Sequence, residues 1–376
     1  MSPSTDVVPA SEGISEDRQR RVAALAVVVA REMNVGAELL SGFHAGLIAN
    51  GELRLCDERI QAAVEIADRV DAALQGTGND ERSLGDLLAE CWSGTERGST
   101  RFHCLSALDR IYERYSPLVF KTPPRLGVCP AVMAKALSLF SKEEVTLNEI
   151  ENVAGCDPIL ATSLLRYANS ALFDRGCAVT TTKAAVARIG FTAARKVIMA
   201  ASARPLFQSA TLSGLWQHSV DVASIAQEIA ARTEKADPSE AFIAGLTHDL
   251  GRIAIEMVDD ADYLALHRRL TAESGCPILA DFVVNGQDHG QIGAAILTIW
   301  RMPETLVDTL RHHHRPELGR SPMASIVYLS ECVSESHEDI AVPSRLEGAL
   351  AAVGLTSLDS VASDVQRLST ALSTLG

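Results

Sequence analysis

Ala241-Phe-Ile-Ala-Gly-Leu-Thr-His248-Asp249-Leu-Gly251-Arg252 is the stretch on which the reading of this chain turns. Apolar residues run at a density that predicts a buried helix, and the helix closes on a His-Asp pair. At a helix end the imidazole can take one edge of a metal while the carboxylate bridges two ions. The glycine behind them is expected to let the chain turn. Imidazole and carboxylate are the ligand types that hold one or two divalent ions and leave a position for water.

Working outward, the same residue types recur on successive amphipathic segments. His218 lies in Leu215-Trp-Gln-His218-Ser-Val, and His289 opens Asp288-His289-Gly-Gln-Ile-Gly293. His312-His313-His314 closes the predicted helix Glu304–Arg311, and Glu331 follows in Ile326-Val-Tyr-Leu-Ser-Glu331. Taken singly, each has an ordinary role: a half-buried helix histidine, imidazolium at a helix C-terminus, a surface acid. Taken in order, His218, His248, Asp249, His289, His313, His314 and Glu331 make a ligand set for one or two divalent transition-metal ions. Iron, manganese and zinc are not distinguished by it. Arg252 and Arg315 stand where they can neutralise phosphate.

Composition sets the frame. The 376 residues are 47% hydrophobic but only 5% aromatic, and strand-like alternation is absent, so an all-α fold is expected. A net charge of −14 argues against a nucleic-acid footprint, which needs clustered Lys and Arg. The eight cysteines form no CxxC pair and read as reduced, mostly buried thiols. No apolar run reaches the roughly 20 residues that cross a bilayer. The polar opening Met1-Ser-Pro-Ser-Thr has no cationic segment, so a cytoplasmic protein is expected.

Punctuation along the chain gives its organisation. Residues 1–15 read as a disordered tail, and 16–115 as a helical N-terminal region. Tyr115-Ser-Pro-Leu-Val-Phe-Lys-Thr-Pro-Pro carries three prolines and reads as a linker. Ser83 with Asp86 and Thr146 with Glu149 predict helix starts, as does Asp157 before Pro158. Residues 123–340 form the main helical domain and 341–376 a C-terminal helical segment.

The order His…His-Asp…His…His-His…acid resembles the HD superfamily of metal-dependent phosphohydrolases. Asp157-Pro-Ile-Leu-Ala-Thr-Ser-Leu-Leu-Arg166-Tyr-Ala-Asn169-Ser170 and Ala184-Ala-Val-Ala-Arg-Ile-Gly190-Phe are similar to the signature of its HDOD branch. The likeness covers about Pro123 to Ile340. It implies an HD-type helical bundle in a bacterial signalling protein, working as an interaction module more than as an enzyme. The partners so implied are a signalling protein or a small nucleotide, with a homodimer as the assembly and no membrane or nucleic acid. The alternative is a phosphohydrolase acting on a nucleotide or phosphate ester. Departures from the catalytic relatives bear on that choice. The Gly-Tyr-Pro loop of the HD-GYP cyclic di-GMP phosphodiesterases is missing after His314. Gly251-Arg252 replaces Gly-Lys, and Glu331 replaces the final Asp. Cyclic di-GMP hydrolysis is therefore not expected. Further upstream, Ile66-Ala-Asp68-Arg-Val-Asp71-Ala-Ala-Leu resembles a helix of HD-GYP domains, which implies a degenerate remnant. No HD pair stands at Ala45–Asn50.

Overall fold

The computed structural model describes residues 16–36, 40, 58–75, 83–93, 95–121, 131–140, 145–155, 157–173, 176–207, 212–335, 343–358 and 361. The expected tail, the Ala45–Asn50 segment and most of the chain beyond Leu358 lie outside them. The described residues form helices joined by turns and loops, with no strand among them, so the all-α expectation holds. None of their helices is long and apolar enough to cross a membrane. In chain order the helices are α1 (Glu16–Glu32), α2 (Glu58–Gln75), α3 (Leu84–Trp92), α4 (Thr100–Lys121), α5 (Ala131–Phe140), α6 (Leu147–Ala154), α7 (Pro158–Ala168) and α8 (Thr182–Ala203). There follow α9 (Ser213–Thr233), α10 (Pro238–Thr247), α11 (Leu250–Glu256), α12 (Ala261–Ser274), α13 (Pro277–Asn285), α14 (His289–Ile299), α15 (Glu304–His312), α16 (Pro322–Glu335) and α17 (Pro343–Val353).

Two compact units emerge, and they are not sequential. The first joins residues 1–122 to 257–289, and the second joins 123–256 to 290–376. In the first unit α1 is apolar from Val22 to Ala30 and packs on α2, α4 and α12. A buried ion pair ties α1 to α2: Arg21 Nε and Nη2 reach the two oxygens of Asp71 at 2.5 and 3.2 Å. Burial works to lower the Arg21 pKa, and Asp71 more than reverses this, so it ends above its ordinary value. Beside it, Arg18 meets Asp68 at 2.7 Å on the half-exposed edge. The Ala-Asp-x-x-Asp pattern of α2 thus carries a structural clamp. Arg20 caps α12, donating to the carbonyls of Glu273 and Ala272 at 3.0 Å each, where Gly275 turns the chain at φ 69°.

The structure corrects the first part of the expected linker, Tyr115 to Lys121, and the remainder, from residue 122, lies outside the described residues. Helix α4 runs through Pro117 to Lys121, because Tyr115 and Val119 are buried and hold that face to the unit. Apolar burial outweighs the missing amide of one proline here.

In the second unit the predicted caps form as read: Thr146 with Glu149, and Asp157 with Pro158 at the first helical position. Asn169 pins the following loop by exchanging two 2.8 Å bonds with the Val179 backbone, and Arg188 reaches the Cys177 carbonyl at 2.7 Å. Helix α8 breaks at Gly190, whose φ of 83° suits a residue without Cβ. Packing of α9, α10 and α16 builds the core from Val222, Ile225, Ile229, Ala244, Ile326 and Val327. The cysteine expectation is half right. The described cysteines are free, but Cys177 is exposed and Cys276 and Cys332 are only partly covered.

Lys196 on α8 is the costly member of this unit. Its ammonium lies 5.6 Å over the Phe242 ring, and burial pulls its pKa down to about 8 against the opposing pull of Glu228. The folded chain therefore binds this proton less tightly than the unfolded chain does. The penalty is complete below pH 8 and fades as pH rises towards 10.5. Lys196→Met should be about 2 kcal/mol more stable than wild type at pH 7, with the gap closing towards pH 10 in urea titrations. A gap that ignores pH would remove charge burial as its cause.

Candidate metal centre

The site is built where α9 and α10 touch. A Cβ on Gly245 would stand 2.7 Å from Ala223 Cα and 2.9 Å from Val222 O, so only glycine admits this backbone contact. His218 lies one turn before Val222 and His248 one turn after Gly245. The close approach therefore sets the two imidazoles together, with Nε2 atoms 3.1 Å apart. The chain turns at His248 and Asp249, between α10 and α11. Gly251, expected to make that turn, is instead helical within α11. It is closely packed there: a Cβ on the facing Gly293 would stand 3.2 Å from the Gly251 amide nitrogen.

Three further side chains arrive from α15 and α16. His313 caps α15, His314 follows it, and Glu331 projects from α16. His248 and His313 are fully buried, and Asp249 and Glu331 are only 1% and 3% exposed. The bland reading of Glu331 as a surface acid is excluded. The triplet divides: His313 and His314 face the cluster, whereas His312 turns to Asp308 at 3.2 Å.

Donor atoms of His218, His248 and Asp249 lie within 4.8 Å of one another, as do those of Asp249, His313 and Glu331. His248 Nε2 is 3.5 Å from both Asp249 Oδ2 and Glu331 Oε1, and His314 Nδ1 is 3.7 Å from Glu331 Oε2. The back of each key ring is fixed. His248 Nδ1 lies 2.7 Å from Gly245 O, and His313 Nδ1 lies 2.7 Å from Leu310 O. A carbonyl oxygen only accepts, so Nδ1 carries the proton in both rings. Nε2 is then the nitrogen of each ring left to face the carboxylates, with a lone pair that a cation could take. This backing by a carbonyl is what metal-bound histidines ordinarily have. Gly290 stands at the same carbonyl, since a Cβ there would meet Leu310 O at 2.6 Å and the His313 ring at 2.9 Å.

The electrostatics agree with a cation site. Burial, then the neighbouring His248, pulls His218 down to about 4. Burial alone would lower His248 and raise Glu331. The facing carboxylates lift His248 instead, and His313 and His248 hold Glu331 below its ordinary value. Arg252 lies at the rim, a third exposed, with Nη1 2.9 Å from Asp249 Oδ2. Arg315 stands 3.7 Å from Glu317, which also takes Arg345 at 3.2 Å.

His289 is the last residue of the first unit and is held there by a residue the sequence did not point to. Asp281 Oδ2 accepts from His289 Nδ1 at 2.6 Å, and its Oδ1 from His267 Nε2 at 2.7 Å. Burial would raise the Asp281 carboxyl, but the two imidazoles hold it well below the carboxylate range. Asp281 sits in the apolar run of α13, where nothing marks it. His267 shares the histidine-rich window and was legible to that extent.

Residues 126–316, half of the chain, match the HDOD domain. The chain belongs to the HDOD family. The chain is 21% identical in sequence, over the aligned part, to an HDOD domain protein of unknown function from Geobacter sulfurreducens. That match has a TM-score of 0.58 over 70% of this chain and 99% of the other. A candidate phosphohydrolase from Shewanella amazonensis SB2B aligns at 0.55 and 23% identity, over 69% of this chain and 98% of its own. A candidate signal transduction protein from Marinobacter aquaeolei VT8 aligns at 0.55 and 20% identity, covering 66% and 59%. These are likenesses of fold. An uncharacterized protein of Treponema pallidum (strain Nichols) is 26% identical over 210 residues, 54% of this chain. The HDOD chain spans only 41% of that curated relative's length.

Proposed function

We propose that this HDOD protein is a bacterial signalling component whose second unit is a helical platform for a protein partner or a nucleotide signal. Its His-Asp-Glu cluster holds a divalent transition metal as a tie between α9, α10, α15 and α16. Burial is the observation that carries this reading: His248, Asp249, His313 and Glu331 are each at most 3% exposed. A hydrolytic ion needs a position open to water and to a phosphate ester, whereas closed sites are structural. His218, His248, Asp249, His313 and Glu331 would hold the ion, with His314 behind Glu331. His289, its Nδ1 committed to Asp281, belongs to the first unit. Bound there, the ion would lend Lewis acidity and binding energy that counts as folding energy.

The second reading is a metal-dependent phosphohydrolase. It is favoured by the partly exposed guanidinium of Arg252 beside Asp249, placed where it can meet a phosphate. One experiment separates the readings. Elemental analysis of purified protein is expected to find a transition metal, and His248→Ala with Asp249→Ala should lose it and melt several degrees lower. A metal-free, well-folded wild type would end both metal readings. Turnover of nucleotide phosphate esters by the loaded wild type, absent in the double variant, would establish the second reading over the first.

A further inference from the structure

We propose that Arg252 limits the cluster to a single ion by placing, at the Asp249 carboxylate, the positive charge that a second ion would bring. The proposal rests on the metal reading above and concerns the number of ions, which the ligand types leave at one or two.

Donor spacing is the first argument. His218 Nε2 and His248 Nε2 are 3.1 Å apart, Asp249 Oδ2 is 3.6 and 3.5 Å from them, and Glu331 Oε1 is 3.5 Å from His248 Nε2. Ligand atoms bonded at about 2.0–2.2 Å to one ion stand about 3.0–3.6 Å apart at octahedral or tetrahedral angles. The first three of these atoms already have the spacing of one shell.

A second ion that shares a carboxylate with the first would take its ligands from Asp249, His313 and Glu331. Asp249 is the member common to both sets. Ions in a two-metal site sit about 3.5–4 Å apart and depend on carboxylates shared between them. Here the shared carboxylate is engaged by a guanidinium at 2.9 Å, on the same Oδ2 that faces His218 and His248. With neutral imidazoles, two carboxylates, one dication and Arg252 leave a single positive charge. A second dication would raise that to three inside a buried cluster, where repulsion is poorly screened.

The test counts ions on the full-length chain. Apo protein is dialysed against excess Mn2+, freed of loose metal, and its metal-to-protein ratio measured for wild type, Arg252→Ala, Arg252→Gln and Arg252→Lys. The expected ratios are one for wild type and for Arg252→Lys, which keeps the charge, and two for the neutral variants. The glutamine variant decides the matter if the alanine variant folds poorly. Two ions on the wild type, one on the neutral variants, or two on Arg252→Lys would each overturn the proposal while leaving the metal reading in place. No retained Mn2+ on any chain would overturn the metal reading, and this proposal with it.

Discussion

Gly245→Ala is expected to cost about 3 kcal/mol of stability and to weaken the proposed metal site on its His218–His248 side. The added Cβ would stand 2.7 Å from Ala223 Cα and 2.9 Å from both Ala223 N and Val222 O. All three are backbone atoms, so no rotamer change relieves the overlap, and α9 and α10 must separate. Exchanging glycine for alanine inside a helix favours folding by about 1 kcal/mol, which is too little to offset overpacking of this kind. The two imidazoles hang one turn from the contact on either helix, so separation pulls apart nitrogens now 3.1 Å from each other. Urea titration and metal content would be read together. Gly348→Ala is the control, since nothing lies within 4 Å of a Cβ there, and it should be neutral or slightly stabilising. Equal stabilities for the two variants would sink the argument.

Asp71→Ala should be at least as damaging, lowering stability by about 3–5 kcal/mol. Its carboxylate is 1% exposed and takes both Nε and Nη2 of Arg21, itself 9% exposed. Removing the acid leaves a guanidinium buried between α1 and α2 with its main counter-charge gone. Arg21→Met combined with Asp71→Leu removes both charges and should recover most of the loss, because buried pairs contribute little net stability over apolar neighbours of similar size. A double variant as unstable as Asp71→Ala would mean that the pair fixes the α1–α2 packing by shape, not by charge.

Much of this was legible in the sequence, for reasons that can be named. Helix starts at Ser83, Thr146 and Asp157 followed from capping chemistry, which acts over three residues and needs no tertiary knowledge. The cluster of His218, His248, Asp249, His313 and Glu331 was legible because imidazole and carboxylate are costly to bury, so their recurrence on apolar helices points to a common place in the fold. What the sequence withheld is set by packing at a distance. Nothing local shows that Pro117 stays helical, that Gly251 lies inside a helix, or that Gly245 marks a backbone contact. Asp281 was hidden by its apolar neighbours, although it holds His267 and His289 together. The histidine triplet could be counted but not divided, since the direction of each ring depends on how α15 ends.

The non-sequential units also bear on how the chain is made. Helices α1 to α4 leave the ribosome early, but α12 and α13, which complete their unit, follow only after the intervening residues 123–256. At about 5–20 residues per second, synthesis of that interval takes roughly 7–27 s. For that time the apolar face of α1, from Val22 to Ala30, waits without α12 to cover it. A ribosome stalled before residue 257 would leave helices α1 to α4 without α12 and α13, and so without the rest of their unit.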